Sequence, residues 1–297
     1  MELLMQLNRA VEYIEAHICD DLALGDISRV TSYSVYHFGR LFYYIAQMSL
    51  SEYIRRRKLS LAAAELQGNS VKVIDLAVKY GYDSADSFTR AFAKQHGITP
   101  TAARRRGAML TIFPPLSFQI QIKGVQGMNW RIEEREAFEV FGVERIFGND
   151  EVGIVPDFWT ELRENGEMDK LIAATNGEDT AVGEDILRAV CGYNEVEGDR
   201  FPYLIGAIKT PDCNTAGYTI AKVPRSTWAV FRSEKVDYMG VAMKELFDRA
   251  YQEWLPSSDY EWAAMPDLEL YYTTADGKFY DECWIPIKKK QGKLPNS

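Results

Sequence analysis

The sequence predicts two domains of different class: an all-α head of seven helices over residues 1–108, holding two helix-turn-helix units, and an α+β domain over 128–290 with one antiparallel sheet. Residues 109–127 link them. Three observations carry this. A ten-residue stretch occurs twice in the first third, as YSVYHFGRLF from Tyr33 to Phe42 and as DSADSFTRAF from Asp83 to Phe92. From Trp130 onward the apolar spacing changes from three and four to alternation, the period of strands. The charge changes sign: residues 1–108 hold 14 Lys/Arg against 11 Asp/Glu, whereas the remainder holds 20 against 32. An acidic body with a weakly basic head follows.

The repeated stretch shares the pattern S-x-x-x-F-x-R-x-F: Ser34, Phe38, Arg40 and Phe42, then Ser84, Phe88, Arg90 and Phe92. On a helix each Phe pair lies one turn apart on one face, which is expected to be buried. Each Ser stands where an N-cap belongs. Each Arg falls off the Phe stripe and is expected to face outward. The competing reading for Arg40 and Arg90 is an ion pair within the protein.

Around these copies the other helices follow in order. Leu3, Leu4, Leu7, Val11, Ile14 and Ile18 form one helical face. A short helix over Leu22–Ser32 and a turn lead into the first copy, which is helix-turn-helix grammar. Ser49 to Gln67 is rich in Ala and Leu and predicts a long helix, closed by Gly68-Asn69. At 1.5 Å per residue it spans about 28 Å, which with its turns sets the two copies about one DNA turn, ~34 Å, apart. Ser70 to Gly81 predicts a short helix with Val71, Ile74 and Val78 inward. After the second copy, Thr99 caps a last helix with Pro100 at its first position. Arg55, Arg56, Arg57 and Lys58 read as a solvated face, and the Tyr43–Tyr44 and Tyr80/Tyr82 pairs as packing.

Bulk features bound the function. The 297 residues suffice for ordinary cores without staples. Cys19, Cys191, Cys213 and Cys283 form no CxxC pair, and His17, His37 and His96 are isolated. No metal and no cofactor is expected, and a reducing, cytoplasmic setting fits best. The first residues are amphipathic and carry acids, so neither a signal peptide nor a membrane span is expected.

The joint holds Pro114-Pro115 and the alternating run FQIQIKGV, read as an edge strand or ordered connector. Beyond it, RIEEREAFEVFGVERI predicts two strands, 156–171 a helix, and 189–193 and 203–208 two more strands. The order repeats as 218–222, 226–231, a helix over 236–254, then 268–272 and 282–287. TWAVF at 227–231 echoes AFEVF at 137–141. The pattern reads as a duplicated α+β unit.

Residues 5–106 resemble the DNA-binding domain of the AraC/XylS family of bacterial regulators. LSEYIRRRKLSLA, IDLAVKYGYDSADSFTRAFAKQHGITPTAAR and the first S-x-x-x-F-x-R-x-F carry the resemblance. It implies two helix-turn-helix units set in successive major grooves. Carried over by position, the DNA-facing residues are Ser34, Val35, Tyr36, Gly39 and Arg40 in the first unit, and Ser84, Ala85, Asp86, Thr89 and Arg90 in the second. Either Arg would suit guanine or a phosphate, and Ser34 and Ser84 suit phosphate anchoring. Gly39 and Asp86 depart from the family's pattern: the first is small and weakens a helix, the second sets a negative charge near phosphates.

Residues 128–290 resemble GyrI-like (SHS2-type) effector-binding domains, on STWAVFRSE, EWLPSSDYEW, PDLELYY and ECWIPI. The resemblance implies a cleft between the repeats, walled by aromatics, with one buried Glu, which by position is Glu269. Tyr271 shares its strand face, and Trp284 is expected to face it. Phe158, Trp159, Tyr193 and Tyr203 are further lining candidates, with core as their alternative. A carboxylate in an aromatic cleft is costly unless it meets a cation, so a cationic or amphipathic small molecule is the expected effector.

The expected whole is a bacterial cytoplasmic transcription regulator that binds promoter DNA and RNA polymerase, with activation implied by resemblance. It is expected to be a monomer or weak dimer, and not an enzyme. The alternatives are a GyrI-like hydrolase with Glu269 as general base and Tyr271 as helper, or a toxin- or drug-sequestering protein fused to a DNA-binding head.

Overall fold

Both copies of the repeated motif form helices, and the same chemistry starts each. A computed structural model describes residues 2–20, 22, 24–31, 33–68, 70–105, 107–118, 127–149, 151–177, 187–196 and 200–290. Helix α3, Val35–Ala46, begins after Ser34, whose hydroxyl accepts the His37 N–H at 3.3 Å. Helix α6, Ala85–His96, begins after Ser84, where Ser84 and Ser87 form a reciprocal capping box. Phe38, Phe42, Phe88 and Phe92 are all buried.

The chain divides into two compact units, residues 1–38 with 48–120, and residues 39–47 with 121–297. Helix α3 therefore begins in the first unit, and its residues from Gly39 onward belong to the second.

The first unit also holds α1 (Glu2–Ala16), α2 (Leu24–Thr31), α4 (Leu50–Gly68), α5 (Val73–Lys79) and α7 (Pro100–Ala103). Leu59, Ala62, Ala63 and Leu66 of α4 form a core with Leu76, Ala77, Tyr80, Phe88 and Phe92. Helix α6 ends at Gly97, whose φ of 73° is the left-handed C-cap conformation. Thr99 then caps α7, with Pro100 in its first turn.

Two expectations fail in this unit. Ile74 and Val78 are 47% and 69% exposed, because α5 turns Leu76 and Ala77 inward instead. A helix this short has two apolar stripes, and Tyr80 and Lys79, both bonded to Glu65, fix its rotation. Arg57 is not solvated: its Nε and Nη2 each meet a Glu15 oxygen at 2.7 Å. Its neighbours Arg55 and Arg56 pair with Glu52 on the half-exposed side. The first part of the joint is ordered, since the Phe118 N–H donates to Asn8 at 2.8 Å and the Phe113 N–H to Ser60 at 3.0 Å. The strand expected at FQIQIKGV falls mostly outside the described residues.

The second unit is built on one antiparallel sheet. Its described strands are β1 (Asn129–Arg135), β2 (Phe138–Gly148), β3 (Arg188–Cys191), β4 (Arg200–Ile208), β5 (Thr219–Val223), β6 (Ser226–Arg232), β7 (Tyr260–Trp262), β8 (Asp267–Thr273) and β9 (Phe279–Lys289). The order is β1-β6-β9-β8-β3-β4-β2-β5, with β7 on β9. It reads the same from either end once β1, β2, β3 and β4 are matched to β5, β6, β8 and β9. The repeat seen in the sequence is thus a two-fold arrangement whose seam lies between β8 and β3. The first strand of each repeat, β1 or β5, pairs with the second strand of the other.

The helices expected at 156–171 and 236–254 form with altered limits. The first is two, α8 (Val155–Glu164) and α9 (Glu167–Ala174), split at Gly166 with φ 75°. The second begins only at Met243, where α10 (Met243–Arg249) runs through a π turn, Ala250–Trp254, into α11 (Leu255–Ser257). Leu171 packs with Phe141 and Ala207. Phe158 meets Phe147, and Trp254 meets Phe231 edge-on. The opposite face of the sheet gathers Val140, Val190, Leu204, Trp228, Leu268 and Trp284. In the β2–β4 ladder Gly142 and Gly206 pair directly, and a Cβ on Gly142 would lie 2.1 Å from the Ile205 carbonyl oxygen. Only glycine allows that approach.

Candidate functional site

Strand β8 reads Asp267-Leu-Glu269-Leu-Tyr271, and alternation sends the three polar side chains to one face and both leucines to the other. On the polar face lies a cavity of about 350 Å³ within the second unit. Glu269 and Tyr271 line it, with Tyr203 of β4 and Trp159 of α8. Glu269 is 8% exposed. Its Oε2 accepts the Tyr203 hydroxyl at 2.6 Å and the Tyr271 hydroxyl at 2.8 Å. Trp159 Nε1 donates to the Tyr203 oxygen at 2.8 Å, and its ring meets Tyr271 edge-on at 5.1 Å. A relay of aromatic donors thus ends on one carboxylate oxygen. Burial pushes the Glu269 carboxyl up, and the two hydroxyls and the Arg40 charge oppose that push.

Four of the seven expected lining residues, Glu269, Tyr271, Tyr203 and Trp159, meet at this cavity. The other three do not. Trp284 lies on the opposite face, because Cys283 is the residue paired with Glu269, so alternation turns Trp284 away. There its indole N–H donates to Glu282 at 3.0 Å. Phe158 is core beside Phe147, one helix position from Trp159. Tyr193 packs against the opposite-face core, and its hydroxyl donates to Glu144.

Behind the cavity lining, against Arg40, lies a second acidic group that was not among the expected site residues. Asp267 is 1% exposed and meets the Arg40 guanidinium at 2.6 Å, and the Tyr251 hydroxyl at 3.1 Å. Burial pushes its carboxyl up to about 6 although the Arg40 charge and Tyr251 act the other way. Arg40 is 3% exposed and lies against the rings of Tyr44, Phe201 and Phe247 at 5.5, 5.4 and 6.0 Å. Tyr44 stacks on Tyr251 at 4.9 Å, and its carbonyl accepts from Gln252 at 2.7 Å. Asp267 shares the parity of Glu269 in DLELYY, a usable signal; nothing in the sequence pointed to Tyr44 or Phe247.

This corrects the expectation for Arg40, which does not face solvent. Its physical reason is a buried carboxylate that requires a counter-charge. Tyr43 and Tyr44, read as packing only, also line the cavity. At the mouth, the N–H groups of Gly240 and Ala242 donate to the buried Asp281 carboxylate at 2.9 and 3.1 Å, which fixes the rim loop.

In α6 the expected DNA-facing residues Asp86 and Arg90 are exposed beside the exposed cap Ser84, with Ala85 and Thr89 half-buried. In α3, Ser34 and Val35 are half-buried, Tyr36 lies in the first turn, and Gly39 is buried with Arg40. No helix among the described residues is long and apolar enough to cross a membrane.

Residues 131–287 match the family model of integron-associated effector binding proteins, and residues 27–106 match a helix-turn-helix domain model. The transcriptional activator AarP of Providencia stuartii is 40% identical over 98 residues, 33% of this chain and 73% of AarP. The chain is an AraC-family regulator with a GyrI-like effector-binding domain. The regulator Rob of Salmonella typhimurium is 35% identical over 106 residues, 35% of this chain but only 37% of Rob. Among solved structures, SAV2435 bound to tetraphenylphosphonium aligns with 54% of this chain and 94% of its own at 17% identity and a TM-score of 0.44. As a member of these families the regulator binds DNA through its helical region and a small molecule through its sheet region.

Proposed function

We propose that this regulator activates transcription in response to a cationic, partly aromatic small molecule held over Glu269. The observation that carries the reading is the buried Glu269 carboxylate, bonded by two tyrosine hydroxyls at the base of an aromatic cavity. Hydroxyl donors stabilise the ionised form without neutralising it, so a charge of opposite sign is still favoured there, and aromatic walls add attraction for a cation. The site binds and does not turn its ligand over: Glu269 already accepts two donors at one oxygen, which suits charge complementarity more than proton abstraction. Residues 1–108 act as the DNA-binding domain, 109–127 as the linker and 128–290 as the effector domain, in the bacterial cytoplasm.

DNA is read by α6 through Arg90, Asp86, Thr89, Ala85 and Ser84, and by the start of α3 through Ser34, Val35, Tyr36 and Gly39. Arg40 joins them only when it leaves Asp267. Two reading helices on one chain suit a monomer on asymmetric promoter DNA, where the bound regulator contacts RNA polymerase.

Calorimetry with benzyltrimethylammonium and its uncharged isostere neopentylbenzene tests the effector class. The cation is expected to bind at least tenfold more tightly, and Glu269→Gln to remove the difference. Equal binding of both compounds would sink the cation reading, and consumption of the added compound would favour hydrolysis.

A further inference from the structure

The second unit buries a positive charge in the lining of its own cavity. Arg40 and Glu269 line one cavity and Asp267 lies behind Arg40, and each is more than nine-tenths buried. The guanidinium pairs with Asp267 at 2.6 Å, while Glu269 is held by neutral hydroxyls. With both acids ionised, the buried guanidinium balances one of the two buried carboxylates. The other cations at the cavity, Arg163 and Lys244, are exposed, and Lys244 pairs with Asp248, so the buried end still favours one more positive charge. The rings of Tyr44, Phe201 and Phe247 that flank Arg40 are the same rings that line the cavity. A cation entering the cavity meets Glu269 and the same aromatic faces, and it is repelled by the guanidinium already there.

We propose that Arg40 is the resident cation of the Glu269 cavity, that a cationic effector competes with it for the two buried carboxylates, and that filling the cavity releases Arg40 and its helix for DNA. Arg40 is 3% exposed while it pairs with Asp267, so it cannot serve Asp267 and a base or phosphate at once. By linkage, the factor by which the cation strengthens DNA binding equals the factor by which DNA strengthens cation binding. The release step rests on the proposed reading of α3 as a DNA-contacting helix; the competition step does not.

The test uses the full chain and the benzyltrimethylammonium/neopentylbenzene pair. Without DNA, Arg40→Met is expected to raise cation affinity at least tenfold and to leave the uncharged isostere within twofold. Asp267→Asn is expected to lower cation affinity at least tenfold, because the guanidinium turns to Glu269. The double variant Arg40→Met/Asp267→Asn keeps the side-chain shapes without the charges, and should bind the cation at least tenfold better than Asp267→Asn alone. This comparison decides the matter even where Arg40→Met alone does not fold. Equal cation affinity of Asp267→Asn and the double variant overturns the competition. With an in-vitro-selected duplex, the cation should raise DNA affinity severalfold in the wild type and not in Arg40→Met. Cation-independent DNA affinity overturns the release step. If Arg40→Met and Arg90→Ala both leave duplex affinity unchanged, the helix reading fails while the competition result stands on its own.

Discussion

Tyr203 donates its hydroxyl to Glu269 at 2.6 Å and receives the Trp159 indole N–H on the same oxygen at 2.8 Å. The tyrosine is therefore a polarised donor, and its bond to the carboxylate is charge-assisted when Glu269 is ionised. Tyr203→Phe removes that donor with little change of shape. The Glu269 carboxyl should rise further, and cation binding at neutral pH should weaken about ten- to a hundredfold, in line with one charged hydrogen bond. Calorimetry of benzyltrimethylammonium at pH 7 and pH 9 checks it, since the deficit should shrink at the higher pH.

Asp267 supplies a pH signature. Burial holds its carboxyl at about 6, above the ordinary 3.8. A folded-state value above the unfolded one means that folding favours the protonated acid. That contribution is complete below about pH 4 and is lost as the pH rises through 6. Denaturant unfolding at pH 4, 5, 6 and 7 should show this loss in the wild type relative to Asp267→Asn, where the titrating group is gone. Parallel profiles for the two proteins would contradict it.

Gly142 faces Gly206 across β2 and β4 with no room for a methyl group. Gly142→Ala must separate the two backbones in the middle of the sheet. A loss of about 3 kcal/mol, the upper end for overpacking, is expected in chemical denaturation, whereas Gly217→Ala tests a glycine with open space around it and only its φ of 85° to strain.

Arg90 is exposed on α6, and Ser84 anchors the start of that helix. Arg90→Ala should weaken specific DNA binding by about 1–3 kcal/mol if it reads a base, or flatten the salt dependence by about one unit of slope if it meets a phosphate. Ser84→Ala should cost about 1 kcal/mol of stability through the lost cap. Footprinting across a salt series, with thermal melts, separates the two variants.

The helices of the first unit were legible because caps and breakers mark them: Ser34, Ser84, Gly97 and Thr99-Pro100 act as their residue types dictate. The two-fold sheet was legible as a repeat, although its exchanged first strands were not. Strand pairing is a long-range matter that local alternation leaves open. The same limit misplaced Trp284. Its strand was foreseen, but whether position 283 or 284 shares a face with Glu269 depends on the β8–β9 register. Ile74 and Val78 failed because a short helix with two apolar stripes carries no local record of its rotation. Arg40 failed for a different reason. Its motif predicts an outward side chain, and what turns it inward is a carboxylate 227 positions away in the chain.

The mirrored strand order has a bearing on stoichiometry. At the seam between β8 and β3, Glu269 stands directly opposite Ala189, and Asp267 opposite Cys191. Only one half of the duplicated sheet carries acids there, so the near-symmetric scaffold offers a single lopsided berth. A saturating titration should level off at one guest per polypeptide with a Hill coefficient of one, and any graded response at a promoter would then follow simple hyperbolic occupancy.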